Sequence, residues 1–118
     1  PEEVQLQADF TRDFLIAVFS HPAVDSFLSW GFWAGQHWKP EAAFYDKEWN
    51  LRPHGKAYMD LVFGEWWTDE TLTTDEEGRT EVDGFKGDYE LTATAGGRTA
   101  AARICLGDGG TTVRLELR

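Results

Sequence analysis

The sequence contains little of several residue types that would define a structural class. Cys105 is its only cysteine, so neither an internal disulfide nor a cysteine-based metal cluster can form. No apolar run approaches the roughly 20 residues that span a bilayer, and no basic-then-apolar leader opens the chain. Basic residues number 11 against 21 acidic ones, and the net charge of -10 disfavours nucleic acid and anionic membranes as partners. We therefore expect a small soluble protein without nucleic acid or membrane partners.

The composition changes sharply near residue 67. All six tryptophans lie at or before Trp67, whereas eight of the twelve glycines follow it. Both halves are acidic, and no low-complexity linker separates them. We predict two differently built regions, residues 1–67 and 68–118, with a packed junction between them.

The first region has the pattern of helices around a long loop. Phe10, Phe14 and Val18 recur at helical spacing and Pro22 ends the pattern, which predicts a helix over about 6–20. The apolar run that follows predicts a buried strand over about 24–31. Turn signals then mark a loop from Trp33 to Gly55, ahead of a second helix.

The second region alternates apolar and polar residues between glycine-rich turns. Five segments show this pattern, namely 71–75, 79–85, 87–94, 98–106 and 111–117. The pattern predicts a small antiparallel β-sheet or sandwich. Together with the helices, it gives an α+β fold class.

The loop of the first region combines aromatic and hydrogen-bonding side chains. An indole can stack on the apolar face of a sugar ring, and Trp30, Trp33 and Trp38 would supply such faces. Gln36, His37 and Lys39 would bind hydroxyl groups. The alternative for any tryptophan is core packing, which we favour for three others: Trp49, Trp66 and Trp67.

The stretch "TRDFLIAVFSHPAVDSFLSWGFWAGQHWKPEAAFYDKEWNLRPHGKAYMDLVF" resembles the C-terminal end of glycoside hydrolase family 10 endo-β-1,4-xylanases, with a likeness over about residues 4–67. The resemblance implies that 1–67 derive from the end of a (β/α)8 barrel. It also implies that Trp30 and Trp38 flank bound sugars. Neither of the family's two catalytic glutamates has a counterpart here, and Ala34 replaces a usual acidic residue.

The resemblance leads to a hypothesis of non-catalytic binding of xylan or a related β-1,4-glycan, with an extracellular location. The alternatives are an incomplete part of an active xylanase and a structural module without a ligand. No catalytic residue and no cofactor are predicted. No metal site is predicted either, because the three histidines lack the spacing of a zinc site and suit loop hydrogen bonding better. A barrel strand without its neighbouring strands would expose an unpaired edge. Pairing of this edge with its counterpart in a second chain would cover it, so we also expect a homo-oligomer.

Overall fold

The computed structural model of the protein describes all residues from 1 to 118. The chain divides into two compact units, Pro1–Trp67 and Thr68–Arg118. The first unit holds the helices and the second holds the sheet. The predicted domain organisation, with a helical region over 1–67 and a β region over 68–118, stays a prediction.

The first unit opens with a long helix, α1, over Glu2–Ser20. Ala8 and Leu15 are buried one heptad apart, which places them on the same face of the helix. Glu2 and Glu3 in the first turn complement the positive end of the helix dipole. The helix ends at Ser20, because the residue before a proline is forced out of the helical region. The predicted helix is confirmed and begins four residues earlier than expected.

The second helix, α2, spans Pro53–Asp60 and continues as a short π-helical segment, Leu61–Glu65. Proline suits the first helical position because its missing N–H has no partner there in any case. The helix approaches the preceding loop closely at Gly55, where an added Cβ would lie 2.8 Å from the Phe44 carbonyl oxygen. α1 packs against α2, and Leu15, Phe44 and Leu61 are buried in this unit.

The segment predicted as a strand over 24–31 is not a strand in the structure. No backbone–backbone hydrogen bond reaches residues 25–31, and every side chain from 24 to 30 is exposed. A strand exists only when a neighbour pairs with it, and the chain offers none here. Pairing begins just beyond, where Trp33 and Tyr45 form an isolated parallel bridge.

The second unit contains one antiparallel hairpin of two strands, β1 over Gly87–Ala95 and β2 over Arg98–Leu106. Gly96 and Gly97 form the two-residue turn with φ of 57° and 76°, values that a primed hairpin turn requires. Tyr89 pairs with Ile104 on the half-buried face, as the alternation predicted. No residue of this unit is fully buried.

The predicted α+β fold class is confirmed by two helices and a small antiparallel sheet. The sandwich alternative is wrong, since the segments 71–75, 79–85 and 111–117 form no ladder. Residues 68–86 in particular reach β1 without entering a helix or a strand. No helix combines the length and the apolar character that crossing a membrane requires.

Candidate functional site

The aromatic loop, residues 30–39, carries the most exposed indoles of the first unit. Trp30 is 79% exposed and Trp38 is 70% exposed. Their ring centroids lie 6.4 Å apart with the planes inclined at 45°. Each ring therefore presents apolar area to the solvent, and the pair forms one open aromatic surface.

His37 holds the two ends of this loop together. Its Nδ1 accepts a hydrogen bond from the Lys39 main-chain N–H at 2.9 Å, which leaves Nε2 to carry the proton of the neutral ring. Nε2 then donates to the Trp30 carbonyl oxygen at 2.6 Å. Gly31 makes this contact sterically possible, because a Cβ there would lie 1.9 Å from His37 Cδ2. Its φ of 74° also favours glycine.

Trp33 belongs to a different part of the structure from the two exposed indoles. It is half-buried and stacks on Trp49, with centroids 5.2 Å apart and planes within 9°. Its Nε1 donates to the Lys47 carbonyl oxygen at 3.3 Å. Gly35 leaves room for the ring, since a Cβ there would lie 2.2 Å from it. Trp33 thus supports the loop rather than extending the open surface.

The two remaining polar candidates, Gln36 and Lys39, are both exposed. Gln36 is exposed, and its side chain makes no hydrogen bond within the chain. Lys39 places its Nζ 5.1 Å from the centre of the Trp38 ring, within the range of a cation–π contact. The structure therefore brings Trp30, Trp38, His37 and Lys39 together and leaves Gln36 beside them.

A network of side chains fixes the chain that follows the aromatic loop. Arg52 donates from its guanidinium to the carbonyl oxygens of Pro40 and Ala43, at 2.5 and 3.4 Å. The Asp46 carboxylate accepts from the Asn50 side chain and main chain, and these hydrogen bonds hold the pKa of Asp46 below its usual value. These hydrogen bonds all lie within residues 40–52 and brace this part of the chain locally.

All three histidines make hydrogen bonds with main-chain groups, as predicted. His21 accepts from the Ala23 N–H, and His54 bonds the Ala42 carbonyl oxygen at 3.1 Å. His54 is buried, and this desolvation lowers the pKa of its ring. No group of three or more histidine, cysteine, aspartate or glutamate side chains is placed to hold a metal ion.

Of the core roles predicted for three other tryptophans, one is confirmed and two are wrong. Trp66 is half-buried and stacks on Phe19 with centroids 4.0 Å apart, which agrees with a packing role. Trp49 and Trp67 are largely exposed, so neither is a core residue. Trp49 has a φ of 67°, a left-handed conformation rare outside glycine, and nothing in the local sequence signals it.

No family model matches the chain. A curated relative, the anti-sigma-I factor RsgI6 of Acetivibrio thermocellus, is 33% identical over 99 residues. The aligned residues make up 83% of this chain but 13% of that protein, so the chain corresponds to a small part of its relative.

This relative overturns the resemblance to a family 10 xylanase, and with it the hypothesis of xylan binding and the alternative of an incomplete active xylanase. Its name refers to the control of a sigma factor and not to a polysaccharide. The partner prediction was xylan or a β-1,4-linked oligosaccharide and a homo-oligomer, without nucleic acid or membrane. It is contradicted too, because the name of this relative refers to a sigma factor. The prediction failed because local residue similarity was extended to a whole family's activity.

Proposed function

We propose that the chain is a segment of a regulatory protein of the anti-sigma-I type and contributes to the control of a sigma factor. The observation that carries this proposal is the 33% identity to RsgI6, which extends over most of the chain. The alignment is too long to reflect one short motif shared by chance. The regulatory role belongs to the whole protein, and this chain supplies one of its modules.

We place the recognition surface of this module at the aromatic loop. Tryptophan is enriched among residues that dominate protein–protein binding, and an exposed indole loses a large apolar area when a partner covers it. Trp30 and Trp38 are both mostly exposed and lie side by side. The bridge from His37 holds their backbone in place, which reduces the entropy lost on binding.

The charge of the chain favours a neutral or basic partner. The net charge is -10, so an acidic surface would be repelled at close approach. Lys39 already rests over the ring of Trp38, and a cation of the partner could occupy the same face. We therefore expect complex formation to weaken as salt increases.

An exchange of segments tests the regulatory role. The aligned residues of RsgI6 are replaced by the corresponding residues of this chain, and a reporter gene transcribed with the sigma-I factor is measured in cells. We expect the chimera to keep the reporter under control, whereas RsgI6 with the segment deleted loses control. An unrelated domain of equal length in the same position is the matched control.

Two results of this experiment are decisive. Control by the chimera and loss of control with the unrelated domain support the proposal. A chimera that accumulates normally but behaves like the deletion overturns it, because the segment would then lack the regulatory activity. Replacing Trp30 and Trp38 by alanine within the chimera then tests the surface, and unchanged control would remove the aromatic loop from the proposed role.

A further inference from the structure

The segment 25–31 has a main chain that is free to pair. None of its N–H groups donates a hydrogen bond, and only the Trp30 carbonyl oxygen accepts one, from His37. The chain on either side is engaged, since Val24 bonds to His21 and the Phe32 carbonyl oxygen accepts from the Tyr45 N–H. An unpaired edge of this kind is a template for an added strand.

The side chains of this segment divide into two sets. Phe27 contacts Phe14 and Tyr58, with ring centroids 6.1 and 6.4 Å away. Leu28, the next residue, is 93% exposed, and Trp30 two positions on is 79% exposed. This alternation is that of a strand, in which successive residues point to opposite faces. Phe27 is thus partly covered within the chain, whereas Leu28 is almost fully exposed and Trp30 contacts only the exposed ring of Trp38.

The chain exposes more surface than two compact units of its mass would expose. The chain exposes 9870 Å² in total. Two separately compact units that share its 13.4 kDa equally would together expose about 7,800 Å². The excess of about 2,000 Å² is more than the roughly 800 Å² that one partner buries in a standard protein–protein interface.

We propose that residues 24–31 form a strand-acceptor site, which binds an extended segment from another part of the anti-sigma-I-type polypeptide. The added strand pairs with the free main-chain groups and covers Leu28 and Trp30 with alternating apolar side chains. This inference rests on the proposed function. It names the same polypeptide as the source because the aligned residues are only 13% of RsgI6, and a tethered strand acts at high effective concentration.

Hydrogen exchange of the 118-residue chain tests the site. The probe is RsgI6 from which the aligned residues have been deleted, so that its own copy of the segment is missing. Amides 25–31 should exchange rapidly in the chain alone, because they make no hydrogen bonds. On addition of the probe we expect them to slow by about ten-fold or more. Intact RsgI6, whose acceptor position is already occupied, is the matched control and should protect them less.

Substitutions within 25–31 distinguish binding by main-chain strand pairing from binding by other contacts. Ser29→Pro removes one free N–H and should weaken binding of the probe by about ten-fold, whereas Ser29→Ala should bind as the parent chain does. Leu28→Asp, at an exposed position, gives a second variant that keeps the fold. It should weaken binding to a similar extent by placing a charge against the apolar strand.

Three outcomes would overturn the proposal. Binding of the probe with protection only outside 25–31 moves the interface elsewhere, and no binding at all removes the strand donor. Protection of 25–31 in the chain alone at rising concentration shows that a second copy is the occupant. The chimera experiment reads sigma-factor control independently, so failure of the acceptor site with retained control leaves the regulatory proposal standing.

Discussion

Replacing Gly31 with alanine should destabilise the first unit more than its size suggests. The residue has a φ of 74°, and the new Cβ would lie 1.9 Å from His37 Cδ2. The His37 ring must therefore move away. When it moves, it gives up its hydrogen bonds to the Trp30 carbonyl oxygen and the Lys39 N–H.

The expected cost combines two contributions. A left-handed conformation costs a residue with a Cβ roughly 1–2 kcal/mol. Each of the two hydrogen bonds that His37 would lose contributes about 1 kcal/mol. The sum is a loss of about 3–4 kcal/mol in the free energy of unfolding of the first unit, a large part of the stability of a unit this small.

Urea unfolding followed by tryptophan fluorescence measures this loss, since all six tryptophans lie in the first unit. Gly64→Ala is the control, because its added Cβ would meet nothing within 4 Å. In a His37→Ala background, Gly31→Ala should cost only the backbone contribution, about 1–2 kcal/mol. An equal cost of Gly31→Ala with and without His37 would refute the contact between them.

Three further predictions concern packing, protonation and thiol reactivity. Trp66→Ala should lower the free energy of unfolding of the first unit by about 2 kcal/mol in urea melts, and Trp67→Ala, at an exposed position, by well under 1 kcal/mol. The pKa of His54 is lowered by burial, so below about pH 6.5 the unfolded state gains a proton that the folded state refuses, and stability falls. Melts from pH 7.5 to 5 should therefore show a smaller loss for His54→Gln than for the parent chain, and identical losses would contradict the burial argument. A hydrogen bond to Asp88 and its negative charge raise the pKa of Cys105, so Asp88→Asn should speed the reaction of the thiol with an aromatic disulfide at pH 7.5; an unchanged rate would rule out that contact.

The sequence predicted those elements whose partners are local. α1 follows from apolar spacing and a proline stop, and the hairpin follows from two alternating segments joined by Gly96 and Gly97. Alternation alone failed at 111–117, because a ladder needs a neighbouring strand that no local pattern supplies. The strand predicted over 24–31 is absent for the same reason.

In the candidate site, too, the sequence predicted local features and missed contacts between distant residues. The glycine positions indicated a loop that holds exposed indoles, but the stacking of Trp33 on Trp49 depends on a left-handed residue 16 positions away. No composition or spacing rule encodes that contact. The residues indicated only stacking of indoles on sugar rings, and xylan as the ligand was predicted from a family resemblance; the xylan-binding interpretation was wrong.

The stretch 68–86, which precedes the hairpin, has a consequence for proteolysis. Its main chain lies outside every helix and strand, and all but one of its side chains are exposed. Proteases bind such segments in extended form, so trypsin should cut first after Arg79 or Lys86 rather than within α1. A single cut there would break the covalent link between the tryptophan-bearing unit and the hairpin, so a protease acting at this stretch would turn one polypeptide into two.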